Sequence, residues 1–217
     1  MKATYRTPNA FFVSPIGKRL QKQIKAFFAT DDLREMRSVL IGPAFPFLAA
    51  FEQNNPNILF ETENLIENDF FSDLPPSYSV DVVFIAALND SILKNCSLLI
   101  KEAARLLKPQ GRLFFLFKNR RNLMSVKINE IPESSLSSFF EELKDSCFSL
   151  HKTKGLIYLP YDHPLFEKAD RFLFSSSAVG GNFSLLDARK DLLAVSSIED
   201  HSSARMTKAS VLTSPRI

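Results

Sequence analysis

The 217-residue chain has no tryptophan and only two cysteines, Cys96 and Cys147. Two cysteines are too few for a disulfide framework. Both fall in apolar helical patterns, which points to buried, reduced thiols. No Cys/His spacing supports zinc, so no metal is expected. No apolar run reaches the roughly 20 residues that a transmembrane helix needs. Acids are missing from the start of the chain: Lys2, Arg6, Lys18, Arg19, Lys22 and Lys25 all precede the first acid, Asp31. Pro15, Lys18 and Arg19 interrupt this region and argue against a secretory signal. Its basic, acid-poor character suits either an organellar transit peptide or a plain surface helix of a cytoplasmic protein, and the cytoplasmic reading is preferred. There is no Walker loop, no Ser/His/Asp hydrolase signature and no internal repeat.

What remains is ordinary for a globular chain. The apolar share is 45%, enough for a full core at this length and too much for wholesale disorder. The net charge of +3 does not demand a nucleic-acid partner. Phenylalanine is abundant, with 21 residues, and carries no functional weight by itself.

Tyr5 to Pro8 reads as an irregular lead-in. Ser14-Pro15 is an N-cap followed by proline at the first helical position. Ile16, Leu20, Ile24, Phe27 and Phe28 then recur at helical spacing, with Lys18, Arg19, Lys22 and Lys25 mostly off that stripe. The plain reading is a helix docked on a sheet with a solvated basic face. The sharper one is contact with a phosphate backbone or an anionic surface. Residues 1–30 form this lead-in and helix, 31–195 an α/β domain, and 196–217 a Ser-rich tail without periodicity, expected to be flexible.

Within the domain, Arg37 to Ile41 is a short buried strand ending at Gly42. Pro46 to Phe51 opens a helix, Ile58 to Phe60 is a second strand, and Asn64 to Asp69 a possible third. Asp81 to Leu88 is almost wholly apolar, as a strand buried on both faces of a parallel sheet would be. Ser91 to Leu107 is helical, Lys108-Pro109-Gln110-Gly111 ends it, and Arg112 to Phe117 is another buried strand. Strand, helix, turn, strand is a βαβ unit, and several make an open, mostly parallel sheet with helices on both faces. Further on, Pro132 to Phe148 reads as a helix and Leu156 to Leu159 as a strand. Phe172 to Ser175 reads as sheet or loop, and Asn182 to Ala188 as the final strand after Gly180-Gly181.

The stretch from Leu74-Pro75-Pro76-Ser77-Tyr78-Ser79-Val80-Asp81-Val82-Val83 to Arg105-Leu106-Leu107-Lys108-Pro109-Gln110-Gly111-Arg112-Leu113 resembles the central block of class I S-adenosylmethionine (SAM) methyltransferases of the type 11 branch. Gln110 stands where that family has the first glycine of its turn. Gly42-Pro43-Ala44-Phe45-Pro46-Phe47-Leu48 is similar to the cofactor loop of a methyltransferase-like bacterial group, and Asn119 to Leu123 to the segment after its fifth strand. The resemblance implies a Rossmann-like class I methyltransferase fold and SAM as cofactor. It implies Gly42 and Ala44 in the cofactor loop, Glu61 (with Glu63 its neighbour) as ribose acid, Asp69 and Phe70 as the adenine-reading pair, and Ala87 at the end of the fourth strand.

The loop departs from the family's. Ala44 adds a Cβ where the second glycine is usual, and Pro43 and Pro46 fix φ and remove two N–H donors. Glu61 to Asp69 is too short for a full crossover helix. Methyl transfer needs an aligned nucleophile more than protein chemistry. Candidates for a base or acceptor pocket are Asn89, Asp90, Asn119, Tyr158, Tyr161, Asp162 and His163, although Asn89-Asp90 is equally a helix N-cap. No catalytic residue is assigned. Three functions follow: a SAM-dependent methyltransferase on a small-molecule acceptor; a methyltransferase-fold binding or scaffold protein without catalysis, with a protein partner; and, less favoured, a nucleic-acid-binding relative.

Overall fold

A computed structural model describes residues 4–29, 33, 36–43, 46–47, 58–60, 74–120, 126–161, 164–175 and 180–191. The expected third strand, the tail, and Ala44, Phe45, Glu61, Glu63, Asp69, Phe70, Asp162 and His163 lie outside these residues.

The main sheet contains β2 (Ser38–Ile41), β3 (Ile58–Phe60), β4 (Val80–Ala87), β5 (Leu107–Asn119), β7 (Glu133–Ser134), β8 (Phe148–Leu156) and β9 (Phe183–Lys190). Its order is β3-β2-β4-β5-β9-β8, with β7 beside the end of β5. β3, β2, β4 and β5 run parallel, and β9 is antiparallel to both neighbours. The sheet is therefore open and mostly parallel, as expected.

The unbroken apolar run in β4 explains its central place. Val82, Phe84 and Ala86 face one core, and Val83, Ile85 and Ala87 the other. Burying each large apolar side chain contributes roughly 1.5–3 kcal/mol, so this strand holds both layers. The first layer is α1 (Pro8–Phe12) and α2 (Pro15–Phe27), whose Phe11, Ile16, Leu20, Ile24 and Phe27 pack on the sheet. The second is α3 (Asp90–Lys94), α4 (Cys96–Leu106) and α5 (Leu136–Asp145).

Several boundaries differ from the sequence reading. The lead-in is not irregular: Thr4–Tyr5 (β1) pairs with Lys127–Ile128 (β6), and Thr7 Oγ1 accepts the Ala10 N–H to start α1. The helix expected over 91–107 breaks at Asn95, whose Nδ2 donates to the Ser91 carbonyl and competes with the helical ladder. The turn Lys108–Gly111 lies inside β5. Val80 pairs with Leu107 and Val82 with Arg112, so the four residues between bulge out. Helix α5 is shorter than expected, and β8 begins at Phe148 and ends at Leu156, where Ile157 turns aside with φ +52. Residues 172–175 belong to α6 (Pro164–Ser175), neither sheet nor loop. Cys96 is buried, but Cys147 is half-buried in a left-handed turn (φ +62) between α5 and β8 rather than in a helix.

Candidate site at the carboxyl ends of the strands

In an open parallel sheet, ligands bind beyond the carboxyl ends of the strands where the order of connection reverses. Here that point lies between β2 and β4. The chain leaves β2 for β3 on one side and returns to β4 on the other. Gly42 follows β2, and Ala87, Leu88 and Asn89 close β4.

Gly42 has φ +102, a backbone that L side chains rarely adopt. A Cβ there would lie 2.6 Å from the Ala86 carbonyl oxygen and 2.6 Å from Ile92 Cδ1. The missing side chain thus lets the turn close against β4 and against α3. Ile92, fully buried, fills the space on that side. Ala87 is buried too, and packs in the core of the α3–α4–α5 layer.

The polar residues at this edge are tethered. Asn89 Oδ1 accepts the Ile92 N–H at 2.8 Å, which is the helix cap foreseen as its alternative role. Asp90 is exposed in the first turn of α3, where a negative charge favours the helix dipole. Asn119 Nδ2 donates to the Gly181 carbonyl at 2.6 Å and to Ser184 Oγ at 2.9 Å, and Ser184 Oγ donates back to Asn119 Oδ1 at 3.1 Å. This side chain joins β5 to β9. Next to it, buried Lys118 donates to Glu133 Oε1 at 2.8 Å.

Tyr158 and Tyr161 lie in the segment after β8, held by a buried polar network that the sequence reading missed. Asp170 of α6 is fully buried. Its Oδ1 accepts the backbone N–H groups of Tyr158 (2.5 Å) and Leu159 (3.0 Å). Its Oδ2 accepts from Gln23 Nε2 at 2.7 Å, and Gln23 Oε1 accepts the Ile157 N–H at 2.9 Å. Arg19 donates through Nη2 to the Leu159 carbonyl at 2.6 Å, while its Nε faces Asp170 Oδ2 at 3.3 Å without hydrogen-bond geometry. Arg19 is therefore buried in an ion pair rather than part of a solvated basic face. Asn182 adds bonds to the Ile157 carbonyl and the Val126 N–H. Burial, with the Asp170 charge behind it, pushes the Tyr158 hydroxyl up to about 12, so Tyr158 stays protonated at neutral pH. Tyr161 packs against Phe166 with the rings tilted by 37° and their centres 4.8 Å apart. A signal was present: Arg19 and Gln23 are polar, one turn apart, beside the apolar stripe of α2.

Among the described residues, no group of three or more His, Cys, Asp or Glu side chains could hold a metal ion. Among them, too, no helix is long and apolar enough to cross a membrane.

No family model matches the chain, and no curated protein matches its sequence. Solved structures do match its fold. An O-methyltransferase family protein from Burkholderia thailandensis superposes with a TM-score of 0.51 at 13% identity, over 84% of this chain and 59% of that one. A chain of the complex between the Haloferax volcanii Trm112 methyltransferase activator and a methyltransferase gives 0.51 at 15%, over 81% and 90%. The fold is that of the class I methyltransferases. The [4+2]-cyclase SpnF superposes as well, with a TM-score of 0.52 at 15% identity over 87% of both chains. At such identities the methyltransferase fold is shared without its chemistry being fixed.

Proposed function

We propose that the chain is a SAM-binding protein of the methyltransferase fold that methylates a small-molecule acceptor in the cytoplasm. The observation that carries this reading is Gly42. It stands at the switch point of an open, mostly parallel sheet, in a positive-φ turn of the kind a first loop glycine supplies. Gly42, Ala44, Glu61, Asp69, Phe70 and Ala87 are the residues proposed to surround the cofactor. When bound, SAM supplies an electrophilic methyl group, and the chain's own task is to hold an acceptor in line with it. The segment from Ile157 to Tyr161 follows β8 at the same edge of the sheet. Its anchorage on Asp170, Gln23, Arg19 and Asn182 gives an acceptor pocket a rigid wall.

A second reading is a methyltransferase-fold binding protein without catalysis. Two observations favour it: Ile92 occupies the space in front of Gly42, and the amides of Asn89 and Asn119 are committed to structural bonds. Calorimetric titration with SAM and with S-adenosylhomocysteine separates the two. Saturable binding that is lost in Asp69→Ala, with an unchanged melting curve, supports the first reading. No heat at millimolar ligand, from protein that melts cooperatively, refutes it and leaves the second.

A further inference from the structure

Helix α6 carries a buried carboxylate and an outward apolar face, while Phe174 near its end packs against the core. Among its described residues Asp170 alone is buried, whereas Phe172 is 72% exposed and Leu165 69% exposed. These two are seven residues apart, so they lie on one face, with exposed Ala169 between them. Surface helices ordinarily turn such side chains inward. Lys168 and Arg171 flank this face and are exposed as well.

Helix α2 continues the surface. The two helices border a cleft of 170 Å³ lined by Arg19, Lys22, Gln23, Ala26, Arg171 and Phe174, together with Glu167. That volume is below the roughly 300–1,000 Å³ that encloses a whole small-molecule ligand. Of the charges on the outer sides of α2 and α6, Lys18, Lys22, Lys25, Lys168 and Arg171 are cationic, and Glu167, which pairs with Arg171, is the one acid. Such a surface repels a second copy of itself.

We infer that the outer face of α2 and α6 docks on an anionic lipid bilayer, with Leu165 and Phe172 entering the interface and the cations meeting lipid phosphates. Cations on one face beside large apolar side chains are the composition of an interfacial membrane contact. A nucleic-acid backbone would engage the cations but has no use for an outward leucine. The inference stands independently of whether SAM binds.

The chain has no tryptophan, so one introduced indole reports alone. In the full chain, Phe172→Trp fluorescence is expected to shift to the blue on adding vesicles of 70% phosphatidylcholine and 30% phosphatidylglycerol, and not with phosphatidylcholine alone. Phe140→Trp, at a half-exposed position on α5 in the opposite layer, is expected to stay unshifted with both. In flotation assays Lys22→Gln and Lys168→Gln should each lower the partition coefficient about fivefold. Phe172→Ser should lower it as well. No flotation with anionic vesicles overturns the inference, as does an equal shift from Phe140→Trp. Salt-sensitive binding to duplex DNA or RNA without vesicle binding also overturns it, and assigns the surface to nucleic acid.

Discussion

Replacing Asp170 by asparagine changes one atom in a fully buried side chain, and the network predicts a large effect. The retained Oδ1 can still accept the Tyr158 and Leu159 N–H groups. The new Nδ2 then points donors at two donors, Gln23 Nε2 and Arg19 Nε. Gln23 cannot answer by flipping its amide, because its Oε1 already accepts the Ile157 N–H. Arg19 keeps its charge in a nearly solvent-free position without the opposing carboxylate. Removing one partner of a buried ion pair costs about 3–5 kcal/mol. For a domain of this size each kcal/mol lowers Tm by about 2–4 °C, so a fall of about 6–20 °C is expected in scanning calorimetry. Gln23→Ala should cost about 1–3 kcal/mol by orphaning the Ile157 N–H. The double variant should fall short of the sum by about 0.5–3 kcal/mol, since the two residues share one bond. A Tm loss below about 3 °C for Asp170→Asn, or strict additivity, would show that the network is not the anchor of the loop.

Two further outcomes are expected. Gln110 is exposed and sits at φ +64 in the bulge of β5, where the resembling family has glycine. The left-handed backbone costs an L residue about 1–2 kcal/mol and glycine's extra unfolded freedom costs about 0.5–1. Gln110→Gly should therefore raise stability by up to about 1.5 kcal/mol in urea titrations, and a loss would contradict the strain. Burial works against the Asp81 charge, but hydrogen bonds from Lys108 Nζ and the Arg37 N–H, together with those two cations, outweigh it and hold the carboxyl below its usual range. A carboxylate with a lowered folded pKa stabilises above its unfolded value of about 3.9, and that contribution fades as pH falls through the folded value. The pair is part-exposed, so the gap between wild type and Asp81→Asn should be no more than about 1 kcal/mol at pH 7 and should close below about pH 4. A constant gap across that window refutes the linkage.

The central βαβ unit was legible because its signals agree. The run Val82–Ala87 has no polar alternation, so it had to be buried on both faces, and Ser14-Pro15 is a cap that needs no tertiary context. The ends of elements were less legible because tertiary contacts decide them. One side-chain bond from Asn95 to Ser91 splits a helix that periodicity joins. Helix α6 was hidden for a related reason. Leu165 and Phe172 lie outward and its buried pole is an aspartate, so the usual period gives the wrong face or none. The cations of α2 could not be sorted by type: Arg19 is buried in an ion pair, and Lys22, one turn away, lines an open cleft.

That division between Arg19 and Lys22 bears on function. Arg19 reaches across from α2 to the loop after β8, so the basic helix helps to fix the wall of the candidate site from within. Lys22 shares the outer side of the same helix with the cations proposed to meet lipid. Helix α6 repeats the arrangement, with Asp170 holding the loop and Phe172 pointing away. Two elements thus connect the proposed membrane face to the candidate acceptor wall through one buried carboxylate. If both readings hold, docking on a bilayer orders the helices that position Tyr158 and Tyr161, and a lipid-borne acceptor would meet the site from that side. Binding of SAM should then tighten in the presence of anionic vesicles, because coupled equilibria are reciprocal. Equal SAM affinity with and without vesicles would show that the two faces act separately, while leaving each open to its own test.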